Sequence, residues 1–303
     1  MRTMSSVTAA ASAAPIRTYH ANPSQPRLKL PAGACDSHVH VFGPGDRYPY
    51  APTRNFTPVD APREALFALH HTLGISRCVI VQSMVHGLDN RVVEDAIAAG
   101  GGRYLGVALV RADVPDAELA RLAAAGFRGV RFNFSRHLGP GAAMDDVVAL
   151  THRLAPLGLH LQVHFDADLI HELAGPLRRS AVPVVIDHMA RVDARLGAQH
   201  ANFRSLLDLL QDARFRVKIS GIDRVDAGPG GAPDYAAGIA LAALLLRLFP
   251  QQCLWGTDWP HPNHTHIPDD ARLVEALAEI APTEAQRQQL LVDNPQTFYQ
   301  FAP

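Results

Sequence analysis

The chain has 303 residues, 48% of them hydrophobic, with 28 basic side chains against 29 acidic ones and a formal charge of −1. That is enough apolar material for one large α/β core, and the balanced charge leaves no bulk field for nucleic acid or an anionic membrane surface. Cys35, Cys78 and Cys253 are widely spaced and form no Cys-x-x-Cys pair, which excludes a disulfide framework or zinc finger and fits a reducing cytoplasm.

Residues 1–30 carry Arg2 and an alanine-rich stretch but no long leucine-rich segment. They read as a flexible tail rather than a secretory signal, and 31–303 as a single domain. Strand-like and helix-like patterns then alternate. Strands are expected at 34–41, 77–82, 104–110, 129–134, 160–165, 182–188, 215–220 and 253–257. Helices are expected at 63–73, 91–99, 115–125, 144–156, 167–177, 203–211 and 236–249, followed by 269–280 and 284–291. Pro62 precedes the first helix and Gly126 follows the third, the positions these residues favour. Eight strands alternating with helices in roughly 270 residues is the pattern of a (β/α)8 TIM barrel. A doubly wound sheet is disfavoured, because no Gly-x-Gly-x-x-Gly follows the first strand. No apolar run reaches the length a membrane span needs, and the run 241–249 is interrupted by Arg247.

Barrel enzymes work at the C-terminal ends of their strands, and there the polar residues gather. His38 and His40 stand at i and i+2, so they aim at one spot. Arg131 lies in strand four, His164 ends strand five, His188 ends strand six and Asp258 follows strand eight. By strand parity His160, Gln162 and His164 share the inward face of strand five, and Val184, Ile186 and His188 that of strand six. Three or four imidazoles with one carboxylate suit a single divalent ion with an open position for water, Zn2+ first and Mn2+ second. Neither Lys29 nor Lys218 is on strand four, where a carbamylated lysine could bridge two ions, so a binuclear centre is disfavoured. No Gly-x-Ser-x-Gly is present, and the glycine-rich run at 228–231 lacks the lysine of a phosphate loop. Arg131, Arg136 and Arg224 are candidates to hold carboxylate or sulfonate groups.

Four segments carry a resemblance: 36–44 (DSHVHVFGP), 128–134 (RGVRFNF), 186–189 (IDHM) and 254–263 (LWGTDWPHPN). Together they resemble the 2-pyrone-4,6-dicarboxylate lactonases of the amidohydrolase superfamily, from about residue 20 to the C-terminus. The resemblance implies hydrolysis of a small anionic lactone from aromatic-compound catabolism. It assigns Asp258 as the water-activating acid–base group, His188 as its catalytic partner, and Arg131 and Arg224 as substrate clamps. His137 aligns with a further clamp, with Arg136 beside it, and His261 is read as another substrate contact. Three positions depart from the family. Phe56 and Met84 stand where hydroxyl side chains contribute to substrate, and His164 replaces a tyrosine. His164 is similar to the ligand of metal-dependent relatives, sulfomuconolactone hydrolase and the carboxymuconate-semialdehyde decarboxylases. By that likeness the metal set is His38, His40, His164 and Asp258. A metal-free lactonase and a metal-dependent decarboxylase stay open as alternatives, and nothing points to an oligomeric state.

Overall fold

The computed structural model describes residues 14–136, 142–226, 234–263 and 266–302. His137 and the 228–231 run lie outside the described residues. Eight parallel strands follow in sequence order: β1 Cys35–Val39, β2 Arg77–Val81, β3 Tyr104–Leu109, β4 Phe127–Asn133, β5 His160–His164, β6 Val184–Ile186, β7 Phe215–Lys218 and β8 Cys253–Leu254. Among the described residues eight α-helices lie between them: α1 Arg63–Leu73, α2 Arg91–Ala99, α3 Asp116–Ala124, α4 Met144–Leu154, α5 Ile170–Leu177, α6 Ala201–Leu209, the short α7 Ile222–Val225 and α8 Ala236–Leu248. The ring closes where Ser37 N–H donates to Trp255 O and Asp258 N–H to His38 O, each at 2.8 Å. This is the expected single-domain barrel.

Two apolar layers result. Val130, Leu161, Val163, Val184, Ile186 and Val217 face the helices, as alternate positions of each strand must. Cys35, Val79, Val81, Leu105, Val107, Val185 and Leu254 form the barrel interior together with Tyr299 and Phe301. The C-terminal segment supplies that plug through α9 Asp270–Glu275, α10 Leu277–Ile280, α11 Glu284–Gln288 and α12 Asn294–Tyr299. Residues 14–30 lie against the rim: Ile16 N–H donates to Thr57 O, Tyr19 Oη–H to Asp60 O, and Arg27 N–H to the Glu275 carboxylate.

Two local devices aim the polar residues inward. In β1, Asp36 pairs with Cys78 and Val39 with Ile80, so three steps on β1 oppose two on β2. This bulge reverses the alternation, letting Cys35 face the interior core while His38 and His40 also face inward. Asp36 holds the bulge, accepting from His38 N–H, Thr257 N–H and Thr257 Oγ–H.

The second device corrects the parity expected for strand six. Val185 is the interior residue there, and Val184 and Ile186 face the helices. Asp187 therefore continues the inward face. His188 reaches the site only because the chain enters a left-handed turn, with φ of 46°, 51°, 55° and 53° at His188, Met189, Ala190 and Arg191. Four consecutive non-glycine residues in that region are costly, and such strain persists only where the surroundings enforce it.

Candidate active site

Beyond the strand ends, three imidazoles converge on one carboxylate oxygen. Asp258 Oδ1 lies 3.6 Å from His38 Nε2, 3.4 Å from His40 Nε2 and 3.7 Å from His188 Nε2. All four side chains are buried. His40 gives its Nδ1–H to Val81 O at 2.7 Å, which leaves a lone pair on Nε2. His188 Nδ1 meets Ser220 Oγ at 2.9 Å. Arg224, on α7, donates to Asp258 Oδ2 and to Pro262 O, so the carboxylate presents its other oxygen to the histidines. Burial opposes the charge on Asp258, but His188 and Arg224 outweigh it and hold the acid well below the usual carboxylate range.

Behind the cluster lies a polar layer in which sequence reasoning placed Arg131 and Gln162 but missed Lys218 and Asp187. Lys218, on β7, is fully buried, and its Nζ lies 2.9 Å from Gln162 Oε1 and 3.2 Å from His38 Nδ1. Asp187 Oδ2 accepts from Arg131 Nε at 2.8 Å and Gln162 Nε2 at 3.1 Å. Burial draws Lys218 down to about 8, although Asp187 opposes the shift. Burial, with Lys218 beside it, pushes His38 down to about 3. Inward parity on β4, β5 and β7 was the available signal for this layer, and Lys218 shares it.

The cavity over the cluster is about 40 Å3 and is lined by His40, Asn55, Phe56, Met84, Arg131, His164, His188, Arg191, Arg224, Asp258 and Asn263, among others. Met84 and Arg131 also line a neighbouring groove of about 690 Å3. Phe56 and Met84 are thus at the pocket, as the resemblance implied. Arg191 was not anticipated; it arrives through the left-handed turn. Among the described residues, no carboxylate lies within ion-pair distance of it, whereas Arg131 is held by Asp187 and Arg224 by Asp258.

Three expected site residues are placed differently. Arg136 points away: its side chain is 64% exposed and paired with Asp168 at 2.8 Å. His261 is absent from the cavity wall and sits fully buried against Asp270 at 3.0 Å. His164 does line the cavity, but its Nε2 faces Arg191 Nη1 at 3.4 Å. The donor atoms that lie within 4.8 Å of one another, among the described residues, belong to His38, His188 and Asp258. His40 and His164 both fall outside that group, and burial together with Arg131 and Arg191 holds the His164 imidazole well below the ordinary value.

The cluster fits a divalent ion in two respects. Ligands about 2.0–2.1 Å from a tetrahedral ion stand about 3.3 Å apart, close to the 3.4–3.7 Å separations here. His38 Nε2 and Asp258 Oδ1 are also buried without a hydrogen-bond partner, the condition of atoms that a ligand would satisfy.

Known proteins share this arrangement's frame. The chain is 42% identical over 288 residues to a 2-pyrone-4,6-dicarboxylate hydrolase of Comamonas testosteroni, covering 93% of this chain and 94% of that one. It is 37% identical over 288 residues to a 4-sulfomuconolactone hydrolase of Hydrogenophaga intermedia, covering 93% and 92%. Among solved structures, a putative 2-pyrone-4,6-dicarboxylic acid hydrolase of Pseudomonas putida superposes with a TM-score of 0.77 at 30% identity, over 90% of this chain and all of that one. The family model described as amidohydrolase matches residues 35–301, from the first residue of β1 to the interior plug. On its histidine–aspartate cluster, its barrel and these likenesses, the chain belongs to the amidohydrolase family of enzymes.

Proposed function

We propose that this chain is a hydrolase that opens a small lactone bearing carboxylate or sulfonate groups, in the breakdown of aromatic compounds. The observation that carries this reading is the Asp258 carboxylate surrounded by three imidazole Nε2 atoms in a cavity walled by Arg131, Arg191 and Arg224. Lactones with acidic arms are the substrates named for the relatives, and guanidinium groups bind such arms bidentately.

The chemistry follows from the donor set. The lactone carbonyl oxygen sits against His38 and His188, which stabilise the charge that develops on it as water adds to the carbonyl carbon. Asp258 Oδ1 takes the proton of that water, and the same proton passes to the ring oxygen as the C–O bond breaks, giving the open hydroxy acid. Arg224 keeps the carboxylate turned toward the histidines. Arg191 holds an acidic arm of the substrate, and Arg131 shares that task from its position on Asp187. A Zn2+-type ion held by His38, His188 and Asp258 would, when bound, polarise the carbonyl and acidify the water. His164 belongs to the anion-binding wall rather than to that ligand set. The buried, unbridged cysteines fit a reducing compartment.

The test is hydrolysis of 2-pyrone-4,6-dicarboxylate and 4-sulfomuconolactone by chelated and zinc-supplemented protein, with product identification. Ring opening with uptake of one water is the expected outcome. Release of carbon dioxide, or no turnover of either lactone, overturns the reading. Asp258→Asn should lower kcat by about 10²–10⁴-fold while substrate binding, followed by calorimetry, survives.

A further inference from the structure

We propose that Tyr19 is a positioning residue for the site: one side chain ties the loop that carries Asp258 to the loop that walls the other side of the cavity. Its ring holds the first loop and its hydroxyl holds the second.

The loop after β1 brings Asn55 and Phe56 to the cavity, and the loop after β8 brings Asp258, Pro262 and Asn263. Over these residues neither loop is helix or strand. The two meet directly where Asn55 Nδ2–H donates to Asn263 Oδ1 at 2.7 Å. Tyr19 supplies a second link. Its ring packs edge-on against Trp259, the residue after Asp258, with centroids 5.1 Å apart and planes at 66°. In that arrangement the positive edge of one ring meets the negative face of the other. Its hydroxyl donates to Asp60 O at 3.0 Å, just beyond Phe56. The chain on either side keeps Tyr19 in place. Ile16 N–H donates to Thr57 O and Val59 N–H to Ile16 O, each at 2.8 Å. His20 Nε2 meets Ile267 O at 3.1 Å, and Ser24 N–H donates to the Asp269 carboxylate at 3.2 Å. Bonds to the β1 loop thus precede Tyr19, bonds beyond the β8 loop follow it, and Tyr19 itself holds both.

The link bears on Asp258 through Trp259. Asp258 has φ of 64°, a conformation that costs energy in a residue with a Cβ and persists only where the surroundings enforce it. Two backbone bonds set its place: Asp258 N–H donates to His38 O at 2.8 Å, and His40 N–H to Trp259 O at 2.6 Å. Trp259 is 1% exposed, with Tyr19 packed against its ring. Without that cover Trp259 is free to tilt, and Asp258 Oδ1 moves with it against the three imidazoles. The kinetic effect rests on the lactonase reading above; the coupling of the two loops does not.

The experiment is amide hydrogen exchange of wild type, Tyr19→Ala and Tyr19→Phe, with steady-state kinetics on whichever of the two lactones is turned over. Tyr19→Ala should lower protection about 5–10-fold in both 55–60 and 257–263, while β3 keeps its wild-type protection. It should also lower kcat about 10–100-fold. Tyr19→Phe keeps the ring and loses the hydroxyl, so it should loosen 55–60 alone and restore most of kcat. Unchanged protection of either loop in Tyr19→Ala overturns the proposal. Equal loosening of both loops in Tyr19→Phe does so too, as does a loss of protection that extends through β3, the mark of a merely structural contact. Loosened loops with undiminished kcat overturn it as well. Failure of the lactonase reading appears separately, as absent turnover in wild type with the exchange pattern intact.

Discussion

At the scale of the residue, the site divides into groups whose role follows from type and spacing and groups whose role follows from a neighbour. His38, His40 and Asp258 were legible, because i, i+2 spacing puts two imidazoles on one face and polar residues at strand ends lie where barrel sites form. Arg136 and His261 were not. Both lie in loops, where no periodicity fixes a direction, and each found a carboxylate nearby: Asp168 on the surface and Asp270 in the core. Arg191 gained what they lost. Arg191→Met should raise KM for an anionic lactone about 10–100-fold with little change in kcat, the scale of a charged hydrogen bond of about 1.5–3 kcal/mol; steady-state kinetics reads it. His261 gives a pH prediction. Burial lowers its affinity for a proton, but Asp270 outweighs burial and raises its pKa above the ordinary 6.5. The pair therefore stabilises fully below that ordinary value and progressively less as pH rises through the folded-state value. Denaturant midpoints should fall as pH rises above 6.5 through the raised folded-state value in wild type, and His261→Gln should flatten that slope.

At the scale of the element, helices 63–73 and 91–99 were bounded as observed, since amphipathic periodicity with proline or glycine at the ends is local information. The strands were expected too long at the site end. Strand 182–188 ends at Ile186, 215–220 at Lys218 and 253–257 at Leu254. The missing residues are those whose backbone leaves the ladder to make the site: Asp187 and His188, Ser220, Thr257. The bulge in β1 and the left-handed turn after β6 are invisible to a pattern of alternate residues, because each breaks the alternation it would be inferred from. Gly256 shows how tight the closure is. A Cβ there would lie 2.6 Å from the His38 backbone nitrogen, and backbone cannot step aside as a side chain can. Gly256→Ala should cost about 1–3 kcal/mol of stability and displace the His38–Asp258 pairing. Urea denaturation and kcat should therefore fall together.

At the scale of the whole molecule, the barrel is sealed from below by the chain's own C-terminal segment. Tyr299 is fully buried among interior residues, near His160 and Phe298, and its hydroxyl has no hydrogen-bond partner. Removing an unsatisfied buried hydroxyl while keeping the ring should help: Tyr299→Phe should stabilise by about 1–3 kcal/mol, read as a raised denaturation midpoint with unchanged kcat. Tyr299→Ala should cost about 3–5 kcal/mol. Among the described residues no helix is long and apolar enough to cross a membrane, so the hydrophobic content goes into these two nested cores.

The order of elements, the barrel and the gathering of His38, His40 and Asp258 at strand ends were determined by the sequence alone, because hydrophobic period and position along a strand are properties of neighbouring residues. Tertiary structure alone decided which imidazoles share the carboxylate, which arginines face solvent, and that Lys218 stands behind His38. Those outcomes depend on distances between strands 180 residues apart in the chain, and on which buried charge finds a partner first. A residue's pairing in a closed barrel is set by the opposite wall, and no local pattern records that.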